Sequence, residues 1–196
     1  MSGVTEVRGR AAVIDRADID TDQIIPAHWL KRVERTGYGA GLFEAWRLDP
    51  AFVMNDPRYA GASILIAGAN FGSGSSREHA VWALEEAGFR AVVAPRLADI
   101  FRANCLKSGV VPVEIDADAV IKLMRAVESD PRVELTVDVE RRTVAGPGVQ
   151  ATFALDDHAQ ARLLGGLDDI AVTLAHAEEI TTYEASRATW LPSLRD

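Results

Sequence analysis

Between residues 64 and 115 the chain alternates short, unbroken apolar runs with helix-forming segments, and that rhythm limits the folds open to it. Ile64 to Ala67, Ala91 to Ala94 and Val110 to Ile115 read as strands. Glu78 to Glu86, ending at Gly88, and Leu97 to Leu106, stopped near Gly109, read as the helices between them. Strand, helix, strand, helix, strand calls for a parallel sheet with crossover helices. Runs that are apolar at every position, rather than at alternate ones, predict strands buried on both faces. The expected fold class is α/β with a parallel-sheet core.

The flanking segments are less regular. Val4 to Ala12, with Val13 and Ile14, predicts an opening strand or hairpin, and Asp18 to Asp22 an acidic turn leading into Gln23-Ile24-Ile25-Pro26. Ala27 to Gly41, with closely spaced breakers and weak periodicity, has the profile of a long functional loop. Leu42 to Trp46 predicts a short helix. Beyond Asp116 the pattern predicts a helix over Ala119 to Glu128. Val133 to Val139 and Val149 to Leu155 follow as a β pair joined by Arg141 to Gly148. Asp156 to Leu164 and Ile170 to Ala185 read as closing helices. With neither repeat nor linker, residues 1–196 are expected to form a single domain with a β-rich flank and C-terminal helices.

Charge and cysteine usage narrow the function classes. The 29 acids outnumber the 21 bases, for a formal charge of −8, and the arginines are scattered rather than clustered. Such a surface opposes binding to a phosphate backbone, so no nucleic-acid partner is expected. No window approaches the roughly 20 apolar residues of a membrane span, and the polar N-terminus does not resemble a signal peptide. The expectation is no membrane association and a cytoplasmic setting. The single Cys105 excludes an intrachain disulfide and a four-cysteine metal site. No metal is expected on this chain.

The chemistry-bearing stretch is Asn70-Phe71-Gly72-Ser73-Gly74-Ser75-Ser76-Arg77-Glu78-His79, directly after the apolar run Ser63 to Ala69. Gly72 and Gly74 allow backbone angles that a Cβ resists and leave room for a ligand beside the main chain. Ser75-Ser76-Arg77-Glu78 has the form of a capping box, with Ser75 as N-cap and Glu78 three residues on. A second serine, and Arg77 where a first helical turn prefers acids, exceed what capping requires. An arginine there can hold a carboxylate through its planar fork. A serine among backbone donors can serve as a base, because those donors stabilise its alkoxide. A Ser75 locked as a cap is a poor base, however. Either Ser76 caps instead, or the same N–H groups do both jobs; the sequence leaves both open. His79, one turn further, is placed to orient substrate or to bond the turn. The stretch is not a G-x-G-x-x-G nucleotide fingerprint.

A second constellation, Asp20-Thr21-Asp22-Gln23-Ile24-Ile25-Pro26, puts acids and a hydroxyl before a short apolar step. Asx-turns explain much of it without chemistry, and Pro26 biases Ile25 toward an extended shape. After His28, the cations Lys31, Arg32 and Arg35 interleave with Leu30 and Val33. On a closing loop they offer charge for carboxylates and a wall for an alkyl group; on a surface helix they are a solvated face.

Together these residues resemble the small-subunit family of 3-isopropylmalate dehydratase, in the aconitase superfamily. The resemblance rests on Asp20 to Pro26, on Leu30-Lys31-Arg32 through Gly41, on Asn70-Phe71-Gly72, on Gly74 to Ala80 and on Leu106-Lys107-Ser108-Gly109. It implies a swivelling β/β/α domain partnered by a large subunit that carries a 4Fe-4S cluster, and a small dicarboxylate substrate. The implied reaction interconverts 2-isopropylmalate and 3-isopropylmalate through isopropylmaleate, in leucine biosynthesis. By the same resemblance Ser75 is the catalytic base, and Ser76 and Arg77 contact a substrate carboxylate. Asp22, Ile25 and Pro26 form the active-site edge, Leu30 and Val33 face the isopropyl group, and Gly72, Gly74 and His79 support the turn. Ser73 and Val81 depart from the cysteine and proline common in the family, and Cys105 from a small polar residue; Cys105 is expected to be buried. Related substituted malates as substrates, and an anion-binding partner protein without turnover, are the competing readings.

Overall fold

A computed structural model describes residues 2–34, 36–188 and 190; Arg35 lies outside the described residues. Seven strands form one sheet in the order β4-β3-β2-β1-β5-β6-β7. The opening segment is one strand rather than a hairpin: β1, Glu6–Ile14, spans both halves of the sheet. Its C-terminal residues Ala11 to Ile14 pair in parallel with β2, Ile64–Ala67, whereas Glu6 to Arg10 pair antiparallel with β5, Glu134–Asp138. β3, Ala91–Ala94, and β4, Val111–Glu114, continue the parallel half. Pro112, which has no N–H to give to a ladder, sits on the edge strand β4, where a missing donor is tolerated.

β2 and β3 are buried at every residue, as their unbroken apolar runs predict. Alternate side chains feed two cores. Ile64, Ile66, Val93 and Val113 pack with Leu123, Met124 and Val127 of α4, Ala117–Ser129, and with Leu135 and Val137 of β5. Leu65, Ala67 and Val92 pack on the opposite face with Ala80, Val81 and Leu84 of α2, His79–Glu86, and with Phe101 and Cys105 of α3, Asp99–Ser108. Cys105 is fully buried, and the apolar surroundings push its thiol well above the ordinary range, so it stays protonated.

The expected β pair after residue 133 is a three-stranded meander. The connector contains a strand of its own, β6, Thr143–Gly146, which pairs with β5 on one side and with β7, Val149–Thr152, on the other. Its run is too short to stand out from the neighbouring arginines and glycines, and it forms because it has a partner on each side. Pro147 and Gly148, the latter at φ +68°, close the β6–β7 hairpin. α5, Asp157–Gly165, follows as expected, capped by Asp156. The expected helix over Ile170 to Ala185 is two helices, α6, Asp169–Leu174, and α7, Ala177–Ser186. No glycine or proline marks the break; Glu178 and Glu179 suit the new N-terminus they occupy. Leu42 to Trp46 makes turns leading to a 3₁₀ segment at Trp46–Leu48 rather than a helix of its own. Among the described residues no helix is long and apolar enough to cross a membrane.

Candidate active site

Because β1 and β2 are parallel neighbours, the segments that leave their carboxyl ends emerge on the same side of the sheet, where α/β proteins place their ligands. The segment after β1 carries Asp20 to Pro26, and the one after β2 carries Asn70 to His79. They are sewn together by main-chain bonds. The Gly72 and Ser73 amides donate to the Ile19 carbonyl at 2.7 and 3.2 Å, and the Thr21 amide donates to the Ser73 carbonyl at 2.9 Å. Asn70 and Asp18, both at positive φ, are joined by a 2.8 Å bond from Asn70 Nδ2 to Asp18 Oδ1. Gly72 has φ +79°, and a Cβ built there would lie 2.2 Å from the Phe101 ring, so only glycine fits.

The Asp20 segment is a capped helical turn, α1, Thr21–Ile24, where an acidic turn was expected. Asp20 Oδ1 accepts from the Gln23 amide at 2.8 Å, and Gln23 Oε1 accepts from the Asp20 amide at 2.9 Å. The capping box of this site is therefore D-x-x-Q, at Asp20. The expected one at Ser75–Glu78 does not form: α2 begins at His79, with Glu78 as an N-cap lacking a side-chain bond. Ser75 lies ahead of the helix in the turn, and its hydroxyl is free of capping. Neither of the two capping alternatives applies.

Ser75 is half-buried, and its Oγ is 3.0 Å from Thr21 Oγ1, which also accepts from the Ser75 amide at 3.3 Å. Ser76 is exposed, and its carbonyl accepts from Asn104 Nδ2 at 3.4 Å. Arg77 forms an ion pair with Asp22 through Nη1. Among the described residues only Asp22 bonds this guanidinium, which leaves its Nε–Nη2 edge for a second carboxylate. Gly74, at φ +93°, packs against Asp20. Ile25 is buried, and Pro26 leads into a 3₁₀ turn, Ala27–Lys31.

His79 stacks edgewise on Tyr38 at 5.2 Å and tilts against Trp82 at 4.6 Å between ring centroids. Its Nδ1 is buried without a bond, and burial holds its pKa below the ordinary value, with smaller opposed effects from Glu78 and Arg77. Tyr38, fully buried, ties the far end of the 27–41 loop to α2, and Glu86 accepts from the Gly37 and Gly39 amides at 3.0 and 2.9 Å. His28 pairs with Glu44 at 3.0 Å. The loop is thus anchored at both ends. Leu30 is half-buried, whereas Val33 is 93% exposed. The structure brings together Ser75, Ser76, Arg77, Asp22, Gly72, Gly74 and His79, and leaves Val33 in solvent.

Sequence reasoning passed over four residues: Thr21 and Asn104, which bond the serine turn, and Tyr38 and Glu86, which hold the loop to α2. Thr21 lies inside a segment already singled out; the other three carry no local signal. A single buried, protonated thiol does not fit an iron–sulfur cluster held by this chain.

A family model described as the aconitase C-terminal domain matches residues 1–118. One described as LeuD_N matches residues 122–157, and one for the C-terminal domain of the 3-isopropylmalate dehydratase small subunit matches residues 169–194. A 3-isopropylmalate dehydratase small subunit from Parafrankia sp. is 59% identical over 193 residues, covering 98% of this chain and 99% of that protein. One from Rubrobacter xylanophilus is 54% identical, with 98% of each covered. The crystal structure of a 3-isopropylmalate dehydratase from Methanocaldococcus jannaschii shares the fold, with a TM-score of 0.65 at 23% identity over 91% of this chain and 99% of that one. The chain belongs to the 3-isopropylmalate dehydratase small-subunit family of the aconitase superfamily.

Proposed function

We propose that this chain is the small subunit of a two-chain 3-isopropylmalate dehydratase, a hydro-lyase, in which it acts as a single swivelling domain and contributes the base and a carboxylate site. The observation that carries the reading is the join of the two motif segments. It sets the Ser75 hydroxyl, free of capping, and Arg77, with an open guanidinium edge, on one turn at the carboxyl ends of the parallel strands.

Ser75 takes the carbon-bound proton of 2-isopropylmalate and returns one at the neighbouring position after isopropylmaleate has formed. Arg77 grips a substrate carboxylate through Nε and Nη2, with Asp22 fixing its other side. Ser76, exposed beside it, donates to the same carboxylate. Ile25 and Pro26 form the edge, and Leu30 on the anchored loop supplies apolar surface for the isopropyl group. Val33 reaches that group only when the loop folds over the substrate. The 4Fe-4S cluster belongs to the partner large subunit and there supplies Lewis acidity to the departing hydroxyl. Catalysis then takes place in the cytoplasm, at the junction of the two subunits.

Co-expression with a cluster-bearing large subunit, co-purification and an isopropylmalate isomerisation assay test the proposal. The chain alone is expected to be inert and the complex active. Ser75→Ala should lower kcat about 10²–10⁴-fold with assembly unchanged. An inactive complex refutes the function, and near-normal turnover in Ser75→Ala refutes the base.

A further inference from the structure

The described residues include two buried polar side chains, Thr21 at 1% and Asn104 at 6% exposure, and both bond to the serine turn. Burying a hydroxyl is costly unless it is bonded, so Thr21 is held where it is by what it meets. Its Oγ1 has one proton and two lone pairs. One lone pair receives the Ser75 amide at 3.3 Å, and Ser75 Oγ lies 3.0 Å away. α1 holds the side chain from below through the Thr21 amide bond to Ser73, and the Asp20 capping box fixes the turn.

We propose that Thr21 is a positioning residue for Ser75, one that stabilises the deprotonated serine. With both hydroxyls protonated, either can donate. Once Ser75 has lost its proton, only Thr21 can, and a bond to an anionic oxygen is about twice as strong as a neutral one. The contact therefore favours the basic form of Ser75 over the resting one, and it is built in before substrate arrives. Rotation about the Thr21 Cβ–Oγ1 bond lets the hydroxyl turn its proton toward Ser75 Oγ, which lies within hydrogen-bond distance. Asp20 capping α1 and Asp22 on it, with Arg77, Glu78 and His79 beyond the turn, are the charged and titratable groups around the pair. They are unaltered in the variants below. This assignment rests on the proposed function and names the residue that makes its base effective.

The test uses the reconstituted two-subunit enzyme with 2-isopropylmalate, unlabelled and deuterated at the methylene that loses the proton. Thr21→Val keeps the shape and removes the hydroxyl; it should lower kcat about 100-fold, leave KM within about twofold, and enlarge the deuterium isotope effect on kcat. Thr21→Ser should keep kcat within a few-fold and leave the isotope effect at the wild-type value. A variant that is merely less well folded loses activity without a change in isotope effect, so the isotope effect separates the two causes. Where Thr21→Val fails to assemble with its partner, Thr21→Ala takes its place. Wild-type kcat in the hydroxyl-free variant, an unchanged isotope effect, or failure of Thr21→Ser to retain turnover overturns the assignment alone. A wild-type complex inert on isopropylmalate overturns the function and this role with it.

Discussion

Arg77 spends one edge of its guanidinium on Asp22, and a substitution there separates charge from shape. Arg77→Lys keeps the charge but cannot offer two parallel donors, so KM for isopropylmalate should rise about tenfold to a hundredfold; steady-state kinetics with unchanged KM and kcat would refute carboxylate binding at this position. His79 has a second signature. Burial lowers its pKa from 6.5, so folding favours the neutral ring. Its contribution to stability is full above the unfolded value and is lost as pH falls through the lower folded value. Urea unfolding should therefore show stability falling below about pH 6.5, with a smaller fall in His79→Gln. Equal slopes in both proteins would exclude His79 as the cause. Ser75, Arg77 and Asp22 were legible because each sits inside a compact local motif. The bonds that hold them were not: Thr21 and Ser75 are 54 residues apart, and Asn104 and Ser76 are 28 apart.

At the scale of elements, the same capping chemistry was available at two places, and packing chose between them. Asp20-Thr21-Asp22-Gln23 and Ser75-Ser76-Arg77-Glu78 both carry the pattern, yet only the first closes. Ahead of the second segment Gly72 and Ser73 are tied to Ile19, and its first residue, Ser75, is tied to Thr21, so the chain is held out of helical geometry and the helix starts at His79. The loop after Pro26 shows a related effect. Its closely spaced breakers and weak periodicity read as a long functional loop, and Glu86 pins it through two amides. Glu86→Ala should free that end and speed tryptic cleavage after Lys31 and Arg32 about tenfold, read by mass spectrometry over time. Cleavage at the wild-type rate would mean that the Tyr38 packing alone holds the loop. β6 was missed because a four-residue strand is stabilised by its neighbours rather than by its own composition.

Across the whole molecule, stability resides in the two cores on either side of the sheet, and among the described residues the last core residue is Leu163. α6 and α7 bury no residue, and Ile170, Leu174 and Tyr183 are 65–70% exposed. Removal of residues 168–196 breaks the Arg162–Asp169 ion pair, a contact exposed on the Asp169 side and worth on the order of 1 kcal/mol. The truncated chain should melt within about 3 °C of the full one by circular dichroism; a fall of about 10 °C or more would place part of the core beyond α5. The sequence by itself determined the parallel half of the sheet, its crossover helices and the motif residues, since unbroken apolar runs, helix stops and glycine-broken turns are short-range signals. Only the tertiary structure decided which hydroxyl meets Ser75, where α2 begins, that the flank holds three strands, and that the long loop is tethered. Each of those depends on a bond between segments distant along the chain, whose energy exists only after the sheet has brought them together.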